Sequence, residues 1–324
     1  MKIKTLAIVL SAAQKRLDDF RQQGRVQAGS IIITVFGDAV LPRGSRIWLG
    51  SLIRLLEPLE LNERLIRTSV FRLAKEEWLR TETIGRRADY VLTPSGRRRF
   101  EEASRHIYAG QAPLWDRRWR LILVVGELEP KLREQLRGAL FWQGFGALGA
   151  DCFVHPSAEL PSVLDALIAE GLAPALGALL PLFAADSRSA MSASDADLVS
   201  RAWDLGALAD AYSEFVTLYQ PILDELRRDH MAGLSDQDAF LLRLLLIHDY
   251  RRLLLRDPEL PEVLQPAEWP GQQARLLCKE LYKRLEAPSN RHLDQEMCLA
   301  DGSVPVVDRS LPERFPQYDP LKKT

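Results

Sequence analysis

Apolar positions along this chain change spacing twice, and each change marks a change of element type. Up to about residue 110, short helical stripes are broken by proline, glycine and asparagine. Residues 30–40, apolar at Ile31, Ile32, Val35, Phe36 and Ala39, predict a first helix that Pro42 and Gly44 stop. Residues 45–56 predict a second, with Ser45 as N-cap and Pro58 closing it. Asn62 is the N-cap of a third over 63–76, where Ile66, Val70, Leu73 and Ala74 recur as a core stripe. Two β-prone runs, 78–84 and 88–93, flank Gly85-Arg86-Arg87 and predict a hairpin with a basic tip. Thr93-Pro94 opens a fourth helix carrying Arg97, Arg98 and Arg99. This is the layout of a winged helix-turn-helix.

The spacing then lengthens. Residues 117–125 end in a continuous apolar run typical of a central strand, and Pro130 opens a helix through Leu132, Leu136, Leu140 and Phe141. A strand over 145–154, a helix over 161–169 and an apolar run over 179–184 complete a small ferredoxin-like α+β layer. Such a layer commonly serves as a connector or dimer contact. From Ser194 the pattern is helical, over 198–220, 222–230, 236–256 and 272–286. The run Leu241, Leu242, Leu244, Leu245, Leu246 and Ile247 is apolar on most sides and belongs at the centre of a helical bundle.

Charge sharpens the first third. The formal net charge is −1, yet residues 1–110 hold 20 Lys+Arg against 12 Asp+Glu (+8) and residues 111–324 hold 23 against 32 (−9). A basic module carried on an acidic body fits a polyanionic partner. On the third helix Arg64, Thr68 and Arg72 stack at i, i+4 and i+8, flanked by Arg67 and Lys75 and opposite the core stripe. A solvated face paired with Glu63 and Glu76 is the plainer reading. The basic hairpin directly downstream favours DNA, with the helix in the major groove and Arg86 and Arg87 on the backbone or minor groove.

Catalytic chemistry is poorly represented. There is no G-x-S-x-G, phosphate loop or metal cluster, so no enzyme is expected. His248-Asp249 would suit a metal phosphohydrolase only with further ligands that the sequence does not place. Three cysteines, Cys152, Cys278 and Cys298, form neither a disulfide framework nor a zinc set; Cys152 and His155 read as structural. The apolar centre at residues 6–10 is too short for a signal peptide and no run reaches membrane-span length, so a cytoplasmic chain is expected.

The runs Trp48-Leu49-Gly50-Ser51-Leu52, Arg67-Thr68-Ser69-Val70-Phe71-Arg72-Leu73 and Ile84-Gly85-Arg86-Arg87 resemble the PaaX family, repressors of phenylacetic acid degradation operons. The resemblance continues through Pro113-Leu114-Trp115-Asp116, residues 141–148, 244–252 and 257–261, and Trp269-Pro270-Gly271 with Ala274, Arg275, Leu277 and Cys278. It covers about residues 27–285 and implies a repressor that releases its operator on binding phenylacetyl-CoA. No other cofactor is implied. It places DNA contacts at Arg67, Thr68, Arg72, Arg86 and Arg87; helical geometry adds Asn62 and Arg64.

A CoA thioester carries a 3′-phosphate, a pyrophosphate and an adenine, so arginines and an aromatic surface are expected around it. His248, Arg251, Arg252, Trp269 and Arg275 are the candidates, with His230 near them; pairing of Arg251 and Arg252 with Asp257 and Glu259 at a helix end is the alternative. The expected fold class is multidomain α+β. Its segments are an N-terminal extension (1–26), a winged helix (27–112), a ferredoxin-like connector or dimerisation domain (113–190), a helical effector-sensing domain (191–290) and a tail (291–324). A homodimer or higher homo-oligomer on double-stranded operator DNA is expected, with no membrane partner; a sequence-nonspecific architectural DNA-binding protein is the alternative.

Overall fold

The computed structural model describes residues 11–22, 28–184, 192–228 and 233–316; the candidate signal segment and His230 lie outside them. The chain divides into two compact units. One takes residues 1–110, 214–251 and 273–324, the other 111–213 and 252–272. Both mix helix and sheet, as the spacing predicts.

In the first unit, α1 (Ala12–Gln22) precedes α2 (Ala28–Val35), which passes through a π turn (Phe36–Val40) and a 3₁₀ turn (Leu41–Arg43). Gly44, at φ 77°, ends the helical path. The expected helix from Ser45 is half strand. Arg46–Trp48 forms β1, paired antiparallel with β3 (Arg87–Leu92), and α3 (Leu49–Leu56) begins only after it. Ser45 is no N-cap: it sits at φ 60°, and its carbonyl accepts from Leu92 N. The helical spacing of Ile47, Trp48 and Leu49 could not reveal a partner strand forty residues away.

Local chemistry fixes the next elements. Asn62 Oδ1 accepts from Arg64 N at 2.8 Å and starts α4 (Glu63–Lys75), whose Ile66, Val70 and Leu73 are buried. The β2 strand (Leu79–Ile84) turns at Gly85, φ 60°, into β3, giving a three-stranded sheet of order β1-β3-β2. Thr93 caps α5 (Pro94–Ile107), and Gly96 is obligatory there because a Cβ would lie 2.2 Å from the Trp78 carbonyl oxygen.

The second unit is built on β4 (Trp119–Val124), α6 (Pro130–Trp142), β5 (Gly146–Ala147), β6 (Cys152–His155), α7 (Leu160–Ala169) and β7 (Leu179–Ala184). The expected single strand over 145–154 is instead a short hairpin, β5 folding back on β6. The sheet is antiparallel with order β5-β6-β4-β7. Ile122 and Phe153 pack with Leu136, Leu140, Val163 and Leu167 of α6 and α7. Trp119 and Val154 pack with Val199, Leu260 and Leu264.

The remaining helices are α8 (Asp195–Ala202), α9 (Gly206–Arg228), α10 (Asp236–Leu254) and α11 (Pro270–Glu296). The expected break at Pro221 is absent; the chain breaks at 203–205. There the Trp203 indole donates to the Gly144 carbonyl at 3.0 Å and Asp204 Oδ1 accepts from Gly206 N. α11 likewise continues through Pro288 beyond its expected end at 286. Residues 297–316 then pack within the first unit, burying Met297, Ala300 and Phe315.

Candidate nucleic-acid interface

The outward face of α4 lies opposite its buried stripe. At 3.6 residues per turn, Arg64, Thr68, Phe71 and Lys75 share the centre of that face, with Arg67 and Arg72 on its flanks. All six are exposed. Thr68 Oγ1 donates to the Arg64 carbonyl at 2.8 Å, which turns its methyl outward. Arg67 Nε donates to Glu63 Oε1 at 2.7 Å, and Arg72 Nε lies 3.7 Å from Glu76 Oε1. The plainer reading of a glutamate-paired face is therefore met in part. Exposed pairs of this kind are worth about 0.3–0.5 kcal/mol, too little to hold a guanidinium away from a phosphate. Arg72 also leans back toward α2: its Nη2 would lie 2.6 Å from a Cβ at Gly29. Among the described residues Arg64 and Arg86 make no ion pair.

The hairpin is pinned at its root. Asp89 on β3, fully buried, accepts from Arg46 Nη2 at 2.8 Å and from Ala300 N at 2.7 Å. Arg46 also reaches Glu82 on β2 at 3.0 Å, so one guanidinium ties all three strands. Trp48 N donates to the Cys298 carbonyl, and the Trp48 indole lies between Arg54 and Arg87, 5.3 and 4.5 Å from the ring. Arg86 stands at the turn and Arg87 at the start of β3, stacked on Trp48. Reading the sequence alone missed Trp48, Asp89 and Phe71. Trp48 and Phe71 stood in the runs that carried the resemblance, but nothing local announces a side chain's cross-strand partner.

Residues 27–96 match the PaaX-like protein family, 112–192 the PaaX protein central Cas2-like domain and 203–295 the PaaX-like protein C-terminal domain. The Transcriptional repressor PaaX of Escherichia coli (strain K12) is 37% identical over 307 residues, 93% of this chain and 95% of that protein. The chain belongs to the PaaX family. An uncharacterized protein of Mycobacterium tuberculosis has a similar fold in its solved structure. It has TM-score 0.51 and 21% identity, and covers 81% of this chain and 98% of its own.

The effector candidates of this PaaX-family chain fall in two groups. In the first unit, His248 and Arg251 sit on the side of α10 that meets α2. His248 Nδ1 lies 3.3 Å from Thr34 Oγ1, and Arg251 Nη2 donates to Ser30 Oγ at 2.8 Å. Arg275 lies on α11 in the same unit, half-buried. Arg252 and Trp269 belong to the second unit, where Trp269 packs edge-on against Tyr212 with ring centres 5.6 Å apart. The alternative helix-end acceptor Asp257 takes the Tyr212 hydroxyl, and its other oxygen accepts from Glu259 N at 2.7 Å. Asp249, the other half of the suspected metal pair, accepts from Arg16 Nη2 and from the Tyr219 hydroxyl, each at 2.7 Å. Among the described residues no group of three or more His, Cys, Asp or Glu side chains could hold a metal ion. No helix among them is long and apolar enough to cross a membrane.

Proposed function

We propose that this chain is a transcriptional repressor of a phenylacetate catabolic operon. It grips its operator through a winged helix-turn-helix made of α2, α3, α4 and the β2–β3 hairpin. The observation that carries this reading is the α4 face of Arg64, Arg67, Thr68 and Arg72 beside a hairpin that presents Arg86 and Arg87. An α-helix fits the major groove, where arginine reads guanine edges, and a basic hairpin can grip the adjoining phosphates. Asn62 fixes the end of α4 by capping it. The likeness to a transcriptional repressor supports the same role.

In this reading the protein works in the cytoplasm as a homodimer or higher homo-oligomer on an inverted-repeat operator. The winged helix (27–112), ferredoxin-like connector (113–190) and helical sensor (191–290) divide the labour. The effector is an aryl-CoA thioester, phenylacetyl-CoA, with His248, Arg251 and Arg275 as its candidate contacts in the first unit and Arg252 and Trp269 as separate candidates in the second. The bonds from His248 and Arg251 to Thr34 and Ser30 give α10 a direct hold on the first helix of the DNA-binding module. An effector that displaces them shifts α2 and lowers operator affinity by the factor by which DNA lowers its own.

The test is fluorescence anisotropy on DNA from upstream of a phenylacetate operon at fixed salt, with phenylacetyl-CoA, free phenylacetate or free CoA added. Release by the thioester alone is expected. Binding indifferent to sequence would instead support an architectural DNA-binding protein. Arg252→Ala with Trp269→Ala should leave operator binding intact and blunt release. Unchanged release would remove those two residues from the candidate contacts.

A further inference from the structure

We infer that Phe71 is a specificity-determining residue of α4, reading the C5 methyl group of a thymine in the major groove. The inference rests on the DNA-binding reading of α4 and deepens it. Phe71 is 69% exposed, and among the described residues of its unit no other phenylalanine, tyrosine or tryptophan is exposed. Its ring contributes nothing to the core that Ile66, Val70 and Leu73 build on the far side of the helix. Phenylalanine is also a poorer helix former than the residues usual on a solvated face. A single exposed apolar side chain needs no explanation on an ordinary surface. This one stands one turn from both Arg67 and Thr68 and from Lys75, at the centre of a cationic face.

Charge decides what can cover that ring. Arg64, Arg67, Arg72 and Lys75 surround it, so a second copy of the same face would be repelled and a polyanion attracted. Within a groove lined by phosphates, the apolar feature on offer is the thymine methyl, the known partner of phenylalanine and threonine methyl groups. The Thr68 hydroxyl is already bonded to the Arg64 carbonyl, so its methyl and the Phe71 ring form one apolar strip along the face. The arginines supply affinity and guanine readout; the strip supplies discrimination that they cannot.

The test uses the full chain and a promoter fragment on which it leaves a footprint. Each dT in the footprint is replaced singly by deoxyuridine, which removes only the methyl, and affinity is read by anisotropy at fixed salt. Wild type should lose about fourfold at one or two positions, the factor that burying one methyl is worth. Phe71→Ala should bind dT and deoxyuridine equally there. If Phe71→Ala binds too weakly to measure, Phe71→Gln, polar where the ring was apolar, carries the same test, its ratio falling toward unity. A wild type insensitive to every replacement, or a fourfold ratio that survives in whichever variant is measured, overturns the assignment. Failure of the wild type to leave any footprint overturns the repressor reading first, before a single base is changed.

Discussion

Arg314 Nη1 lies 2.8 Å from Asp38 Oδ1, joining the chain's C-terminal segment to the π turn that follows α2. Asp38 is enclosed: it also accepts from the Tyr108 hydroxyl at 2.7 Å and the Tyr282 hydroxyl at 3.1 Å, and Arg243 Nε lies 2.9 Å from its other oxygen. Burial pushes its carboxyl upward, but Arg243, Arg314 and the two hydroxyls outweigh that and hold it below the usual range. The carboxylate is thus present above the unfolded chain's titration, and its stabilisation is lost only as pH falls through the lower folded value.

Asp38→Ala leaves the buried guanidinium of Arg243 and the partly buried one of Arg314 without their shared anion. Breaking a buried pair in this way costs about 3–5 kcal/mol. Urea denaturation followed by circular dichroism should show an unfolding free energy lowered by that amount. A change below 1 kcal/mol would mean that Arg243 and Arg314 find other acceptors.

The hairpin depends on Asp89 in the same way. Asp89→Ala removes the acceptor of Arg46 and of Ala300 N, and charge-assisted bonds of this kind are worth about 1.5–3 kcal/mol each. Hydrogen exchange of Arg87–Leu92 should quicken at least tenfold while β4 and β6 keep their protection. Equal quickening in both sheets would contradict a local role.

Arg67 and Arg86 should each remove about one unit from the slope of log affinity against log salt when changed to alanine, the signature of one phosphate contact. Glu63→Gln tests the intrahelical pair directly. Freed from Glu63, Arg67 should bind operator more tightly at low salt, and anisotropy across a salt series will show it.

What was legible in the sequence was short-range. Asn62, Gly85 and Thr93 act on neighbours within three residues, and the stripe Ile66, Val70, Leu73 needs only one helix to be read. β1 was misread because Arg46–Trp48 pairs with residues 89–91, and strand pairing leaves no local mark. The buried Asp38 cluster draws on residues from 38 to 314, so no spacing rule could gather it. Phe315, closing over Tyr108 and Tyr282, sits in a segment whose lack of periodicity gave no sign of burial.

His155 gives the second unit a pH dependence of its own. Its Nδ1 accepts from Ser157 N at 3.0 Å and Ala158 N at 2.7 Å, so a proton there would face two donors. Burial first, and the nearby Arg120 second, push the imidazole from 6.5 down to about 4, against a weaker upward pull from Glu259. The folded unit therefore stays neutral while the unfolded chain takes up a proton. Stability falls as pH drops through 6.5 and levels off near 4, a total loss of about 3 kcal/mol. In His155→Asn the amide oxygen can take the place of Nδ1 and accept both bonds without titrating. Hydrogen exchange of β4 and β6 between pH 7 and 4.5, corrected for intrinsic rates, should show protection falling in the wild type and nearly flat in the variant. Parallel curves would assign the acid sensitivity to another group.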